Sequence, residues 1–95
     1  MIEREGDWMV VHGSLTMDTV PALFETGLQH LANEDFQLDL SRVDSVDSAA
    51  VSMLLGWSRA ARNARHVLRV RGLPQDLLSL ANLYGVAEML PQQSS

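Results

Sequence analysis

Apolar and polar positions follow two different periods along this chain. Phe36, Leu38 and Leu40 alternate with Gln37 and Asp39, the period of two expected of a half-buried strand. Val20, Leu23, Phe24, Gly27, Leu28 and Leu31 recur at helical spacing and give one apolar face. Asp18 or Thr19 is placed to cap that helix, Pro21 is tolerated in its first turn, and Asn33-Glu34-Asp35 ends it. Ahead of it, MIER and WMVVH flank a Glu5-Gly6-Asp7 turn and suit a short hairpin whose second strand ends at Gly13.

Beyond Leu40 the pattern predicts a loop over Ser41–Asp47 and then a helix from about Ala49 to Ala64. His66 to Arg71 reads as a strand with Leu68 and Val70 facing alike, ended by Gly72. Pro74 opens a helix whose Leu77, Leu78, Ala81 and Tyr84 form a stripe, and Gly85 is placed to stop it in the left-handed conformation. Val86 to Leu90 suits a short helical element, Pro91 stops it, and residues 92–95 are expected to be a flexible tail after a domain spanning 1–91. Strand, strand, helix, strand, helix, strand, helix is an α/β order. The unit from Phe36 to Arg71 should be a right-handed parallel crossover. The expected fold is a small mixed β-sheet covered by three to four helices.

Composition narrows the function. The 95 residues are 46% apolar, enough for a core in one small domain. There is no cysteine, so disulfide scaffolds and thiolate metal sites are excluded and a reducing compartment fits. No apolar run approaches the roughly 18–20 residues of a membrane span. The first residues, MIEREGDWMVV, lack the basic and apolar regions of a signal peptide, so a cytoplasmic location is expected. The net charge of −5 argues against general nucleic-acid binding. That charge is uneven. Residues 1–47 carry ten acids and two arginines, whereas residues 48–95 carry five arginines and two acids. Arg59, Arg62, Arg65, Arg69 and Arg71 form a basic stretch, either a solvated rim or a means of steering an acidic partner.

Ser48 stands where a strand pattern gives way to a helix pattern, and a hydroxyl there can cap the helix. A nucleophile needs a base in reach, and no motif brings His12, His30 or His66 to Ser48. There is no G-x-S-x-G elbow, no phosphate-binding glycine loop and no metal-ligand spacing, so no catalytic residue, cofactor or metal is expected. In the following helix Val51, Leu54, Leu55, Ser58 and Ala61 should face the sheet. The opposite face then holds Ala49, Ser52, Met53, Gly56, Arg59, Ala60 and Asn63. That face is small and weakly charged and includes a methionine, and Gly56 costs about 1 kcal/mol against alanine in a helix interior. Such a face would let another helix approach closely, or would pack within the chain. Trp57 sits at the boundary between core flank and exposed anchor.

Asp39-Leu40-Ser41-Arg42-Val43, then Val46-Asp47-Ser48-Ala49-Ala50 and Leu54-Leu55, resembles the signature of STAS domains, the sulphate-transporter and anti-sigma-factor-antagonist modules. Leu80-Ala81-Asn82-Leu83-Tyr84-Gly85-Val86, ending in Met89-Leu90-Pro91, resembles the MlaB-like members of that family. The resemblance implies a cytoplasmic, non-catalytic subunit bound to the ATPase MlaF, in a complex with the permease MlaE and the lipid-binding MlaD, that maintains outer-membrane lipid asymmetry. It places Asp47 and Ser48 in the partner-facing region, and with the loop from Ser45 and the small helix face described above the expected partner-binding surface is Ser45, Asp47, Ser48, Ala49, Ser52, Met53, Gly56 and Arg59. It also matches Ser48 to the position phosphorylated in anti-sigma-factor antagonists, which is the alternative function. Ala49-Ala50 departs from the glycines often found there, adding two methyl groups and disfavouring positive φ.

Overall fold

A computed structural model describes residues 2–90, so the expected tail at 92–95 lies outside the described residues. Strand β1 (Ile2–Glu5) turns back into β2 (Trp8–Leu15) as an antiparallel hairpin. Helix α1 (Val20–Asn33), strand β3 (Phe36–Val46), helix α2 (Ser48–Ala64), strand β4 (Leu68–Arg71) and helix α3 (Gln75–Leu83) follow, then a 3₁₀ turn at Ala87–Met89. The strands lie in the order β1-β2-β3-β4, with β2, β3 and β4 mutually parallel. Both crossovers step the same way across the sheet, so right-handed connections put α1 and α2 on one face.

Two sequence expectations about strand ends are corrected. Gly13 does not end β2, which continues to Leu15. At φ +87° Gly13 takes a conformation that side chains resist, and the ladder to β3 shifts register on either side of this segment. The predicted loop Ser41–Asp47 is strand as far as Val46, because the lengthened β2 supplies pairing partners: Ser14 lies beside Ser45 and Leu15 beside Val46. Polar residues fill this end of β3 because most of them are exposed there.

The core lies between sheet and helices. Phe36, Leu38, Leu40, Val11 and Val70 meet Leu23, Leu31, Leu54 and Ala61, and Leu77 and Ala81 of α3 close one side. Trp57 is central and fully buried, which places it in the core. Its ring meets Phe36 edge-on at 5.3 Å, and its Nε1 donates to the Phe24 carbonyl at 3.0 Å. The α1–α2 contact is reciprocal. Gly27 of α1 leaves room for the Trp57 ring, since a Cβ there would fall 2.2 Å from Trp57 Cε2. Gly56 of α2 leaves room for the Phe24 ring, where a Cβ would fall 2.8 Å from Phe24 Cε1.

This interlock overturns the expected exposure of Met53. Its side chain is only 1% exposed, because α2 is covered by α1 as well as by the sheet and buries a wider arc than one stripe. Tyr84 also departs from its predicted stripe and is exposed, since α3 ends at Leu83. Gly85 does take the left-handed turn at φ +72°, and the N–H groups of Gly85 and Val86 donate to the carbonyls of Asn82 and Ala81.

The sheet face opposite the helices is polar. Arg71 lies 4.0 Å over the Trp8 ring and donates to Asp39 Oδ2 at 2.9 Å, while the Ser41 N–H donates to Asp39 Oδ1 at 2.8 Å. Burial works to raise the Asp39 pKa. The hydrogen bonds from Ser41 and Arg71 and the Arg71 charge outweigh it, holding the carboxyl below its ordinary 3.8.

Two predictions follow from these contacts. Gly27→Ala gains about 1 kcal/mol of helix propensity but forces a methyl into the Trp57 ring. A net loss of about 2 kcal/mol is expected in urea unfolding, and a stabilised variant would mean the two helices do not interlock. A depressed folded pKa gives stability that is present above the unfolded value and lost as pH falls through the folded value. The chain should therefore lose stability as pH drops below 3.8, and Asp39→Asn should flatten that acid limb in pH-dependent melts.

Candidate functional site

At the end of the sheet where β2 and β3 finish, one carboxylate organises the chain. Asp47 leaves β3 in an extended conformation, and its N–H donates to the Leu15 carbonyl at 3.1 Å. Its Oδ1 accepts from the Ala49 N–H at 2.8 Å, and its Oδ2 accepts from the Met17 N–H at 3.0 Å. Asp47 therefore caps α2 and ties the β2–α1 loop to it. This corrects the expectation that Ser48 is the cap. A carboxylate offers two acceptor oxygens and can serve both segments, whereas a serine offers one. Ser48 becomes the first residue of α2 and is exposed. Thr19 stands at the N-cap of α1, yet its hydroxyl donates to the Ser14 carbonyl at 2.7 Å and accepts from the Thr16 N–H at 3.0 Å instead of capping that helix. Ser45 donates to the Ser14 hydroxyl at 2.9 Å.

From this end an open groove runs between α1 and α2. Ala49, Ser52, Met53, Gly56 and Arg59 line it, which brings together five of the residues singled out in the sequence. Met53 forms part of its buried floor, and Ser52 and Arg59 stand exposed on its rim. Ser45, Asp47 and Ser48 do not line it and lie at the approach to α2. Sequence reasoning missed the opposite wall, Val20 and Phe24 of α1, along with Leu55. The available signal was the breadth of the α1 stripe: Val20, Leu23, Phe24, Gly27, Leu28 and Leu31 are more than one contact can bury. Phe24 is left half-buried over Gly56.

The site offers shape and an apolar lining, with one cation at the rim. The histidines have neighbours other than Ser48. His12 lies 3.4 Å from Glu3, His30 lies 3.8 Å from Glu34 and stacks on Phe36, and His66 Nδ1 is 2.5 Å from the Leu31 carbonyl. Among the described residues no cluster of three His, Asp or Glu side chains is placed to hold a metal ion, and no helix is long and apolar enough to cross a membrane.

The capping assignment separates two neighbouring residues. Asp47→Ala removes both bonds and should cost about 2 kcal/mol, while Ser48→Ala should stay within about 0.5 kcal/mol. Thermal unfolding of the two variants decides this, and equal losses would contradict the assignment.

Comparison with known proteins comes from sequence families and from solved folds. The family model described as "Mlab, STAS domain" matches residues 2–91. No curated protein matches the chain. Among solved structures, a Thermotoga maritima protein described as a candidate anti-sigma factor antagonist is similar with a TM-score of 0.73 at 10% identity, covering 100% of this chain and 86% of that one. The anti-sigma factor antagonist SpoIIAA in its unphosphorylated form gives 0.69 at 14%, covering 100% and 87%. The Bacillus cell fate determinant SpoIIAA in its phosphorylated form gives 0.66 at 15%, covering 100% and 91%. At such identities the structural likeness speaks for the fold, and the family follows from the sequence match: the chain belongs to the STAS-domain family described as Mlab.

Proposed function

We propose that this chain is a non-catalytic, cytoplasmic subunit that binds and supports or regulates the ATPase, MlaF, of an ABC phospholipid transporter. With the permease MlaE and the lipid-binding MlaD, that transporter would maintain outer-membrane lipid asymmetry. The observation that carries this reading is the match to the Mlab family model over nearly the whole chain. The groove between α1 and α2 supports it. Its apolar floor and small side chains suit a closely packed protein surface, and among the described residues no nucleophile and histidine base are in contact.

Ser45, Asp47, Ser48 and the α2 residues Ala49, Ser52, Met53, Gly56 and Arg59 would make the contact. Asp47 acts in it by fixing the backbone, since both its oxygens are engaged within the chain. Regulation would require the subunit to bind one conformation of the ATPase more tightly than another.

A second reading, an anti-sigma factor antagonist switched by phosphorylation of Ser48, is favoured by the fold of the SpoIIAA structures and by the exposure of Ser48. A phosphate there would meet the N-terminal end of α2 favourably, with Asp47 repelling it.

Co-purification from the native host with a tagged chain separates the two. Capture of an ABC ATPase by the intact chain, lost with Ser48→Arg, is the expected outcome. Capture of a serine kinase would move the function to sigma-factor control, and ATPase capture unchanged by Ser48→Arg would remove this surface from the contact.

A further inference from the structure

The flank of α2 turned away from α1 is open as well. Two depressions run along it and meet at Leu55. One lies between Ser48, Ser52, Tyr84 and Val86, and the other reaches Arg59, Arg62 and Met89. Together they form a valley between α2 and the segment that follows α3. Ser48 to Arg62 is fourteen steps of helix, which is about 21 Å at 1.5 Å per residue.

The wall of this valley is apolar where folding does not require it. Leu77 and Ala81 already bury the inner side of α3, yet Tyr84 is 53% exposed at one depression and Met89 64% exposed at the other. The turn at Gly85 holds Tyr84 in place, with Tyr84 N–H donating to the Leu80 carbonyl and Val86 N–H to that of Ala81. Large apolar side chains left in solvent along one valley mark an interaction site, and tyrosine is among the residues that dominate such contacts. The far end is basic. Arg59 and Arg62 are exposed and have no ion-pair partner among the described residues, and Glu88 is the acid that lines this end.

We propose that this valley seats a helix of the partner protein, apolar toward Leu55, Tyr84 and Met89 and carrying carboxylates toward Arg59 and Arg62. The charge argument selects the occupant: unpaired guanidinium groups at one end call for acid on the incoming helix, and a partner rich in lysine and arginine would be repelled. The valley rests on the ATPase-docking reading and adds to it a second contact, on the other flank of the Ser52–Leu55 ridge. An incoming structure would then straddle α2.

The test measures the affinity of the purified full chain for the purified ATPase of the same host's transporter. Met89→Glu combined with Tyr84→Ala should weaken binding about 30-fold, the loss expected of a hot spot. Because both side chains are exposed, the melting curve of this variant should match that of the parent. Arg62→Glu should weaken binding about tenfold at low salt, with the loss shrinking as salt rises. If Ala49→Arg, which blocks the groove and not the valley, abolishes binding while the valley variants stay within about twofold of the parent, the valley is overturned and the docking reading stands. If the intact chain binds no ATPase, the docking reading itself fails. If the isolated chain sediments as a dimer and the Tyr84/Met89 variant as a monomer, the occupant is a second copy and the proposal is overturned.

Discussion

Each of the two main helices lacks a side chain where the other presents an aromatic ring. Trp57 fills the space beside Gly27, and Phe24 fills the space beside Gly56. The Trp57 N–H bond to the Phe24 carbonyl fixes the sliding position of one helix on the other. Trp57 reaches through to Phe36 of β3, so the same ring joins both helices to the sheet. With no disulfide and a small core, a chain of this size depends on such well-packed contacts for a unique structure.

The surface inherits its form from that contact. Because α1 cannot slide on α2, Val20 and Phe24 stand at a fixed distance from Ala49, Ser52 and Arg59, and the groove is formed before any partner arrives. A preformed site loses less entropy on binding than one that must be assembled. Asp47 adds a second constraint at the open end by holding the β2–α1 loop and the start of α2 on one carboxylate. The features that stabilise the fold therefore also shape the face it presents.

Much of the fold was legible because periodicity is a local signal. The alternation at Phe36–Leu40 and the helical stripes of α1 and α2 appear as strand and helices, and the Gly85 turn falls where the sequence put it. What was missed depends on residues far apart in the chain. The polar run Ser41–Val46 is strand only because β2 extends to meet it. Ser48 loses the capping role to Asp47 because Met17, thirty residues earlier, needs the other carboxylate oxygen. Gly56 reads from the sequence as a space left for a partner. The space is taken by Phe24 of the same chain, and the groove lies beside it. Val20 and Phe24 could not be assigned to the site until the α1–α2 register was known.

Amide hydrogen exchange of the full chain, alone and with the transporter ATPase, would locate the docking face. Added protection is expected along α2 and at the end of α3, with the β1 and β4 strands unchanged. Protection confined to β1 and β4, or none at all with the ATPase present in excess, would contradict docking through the helical face.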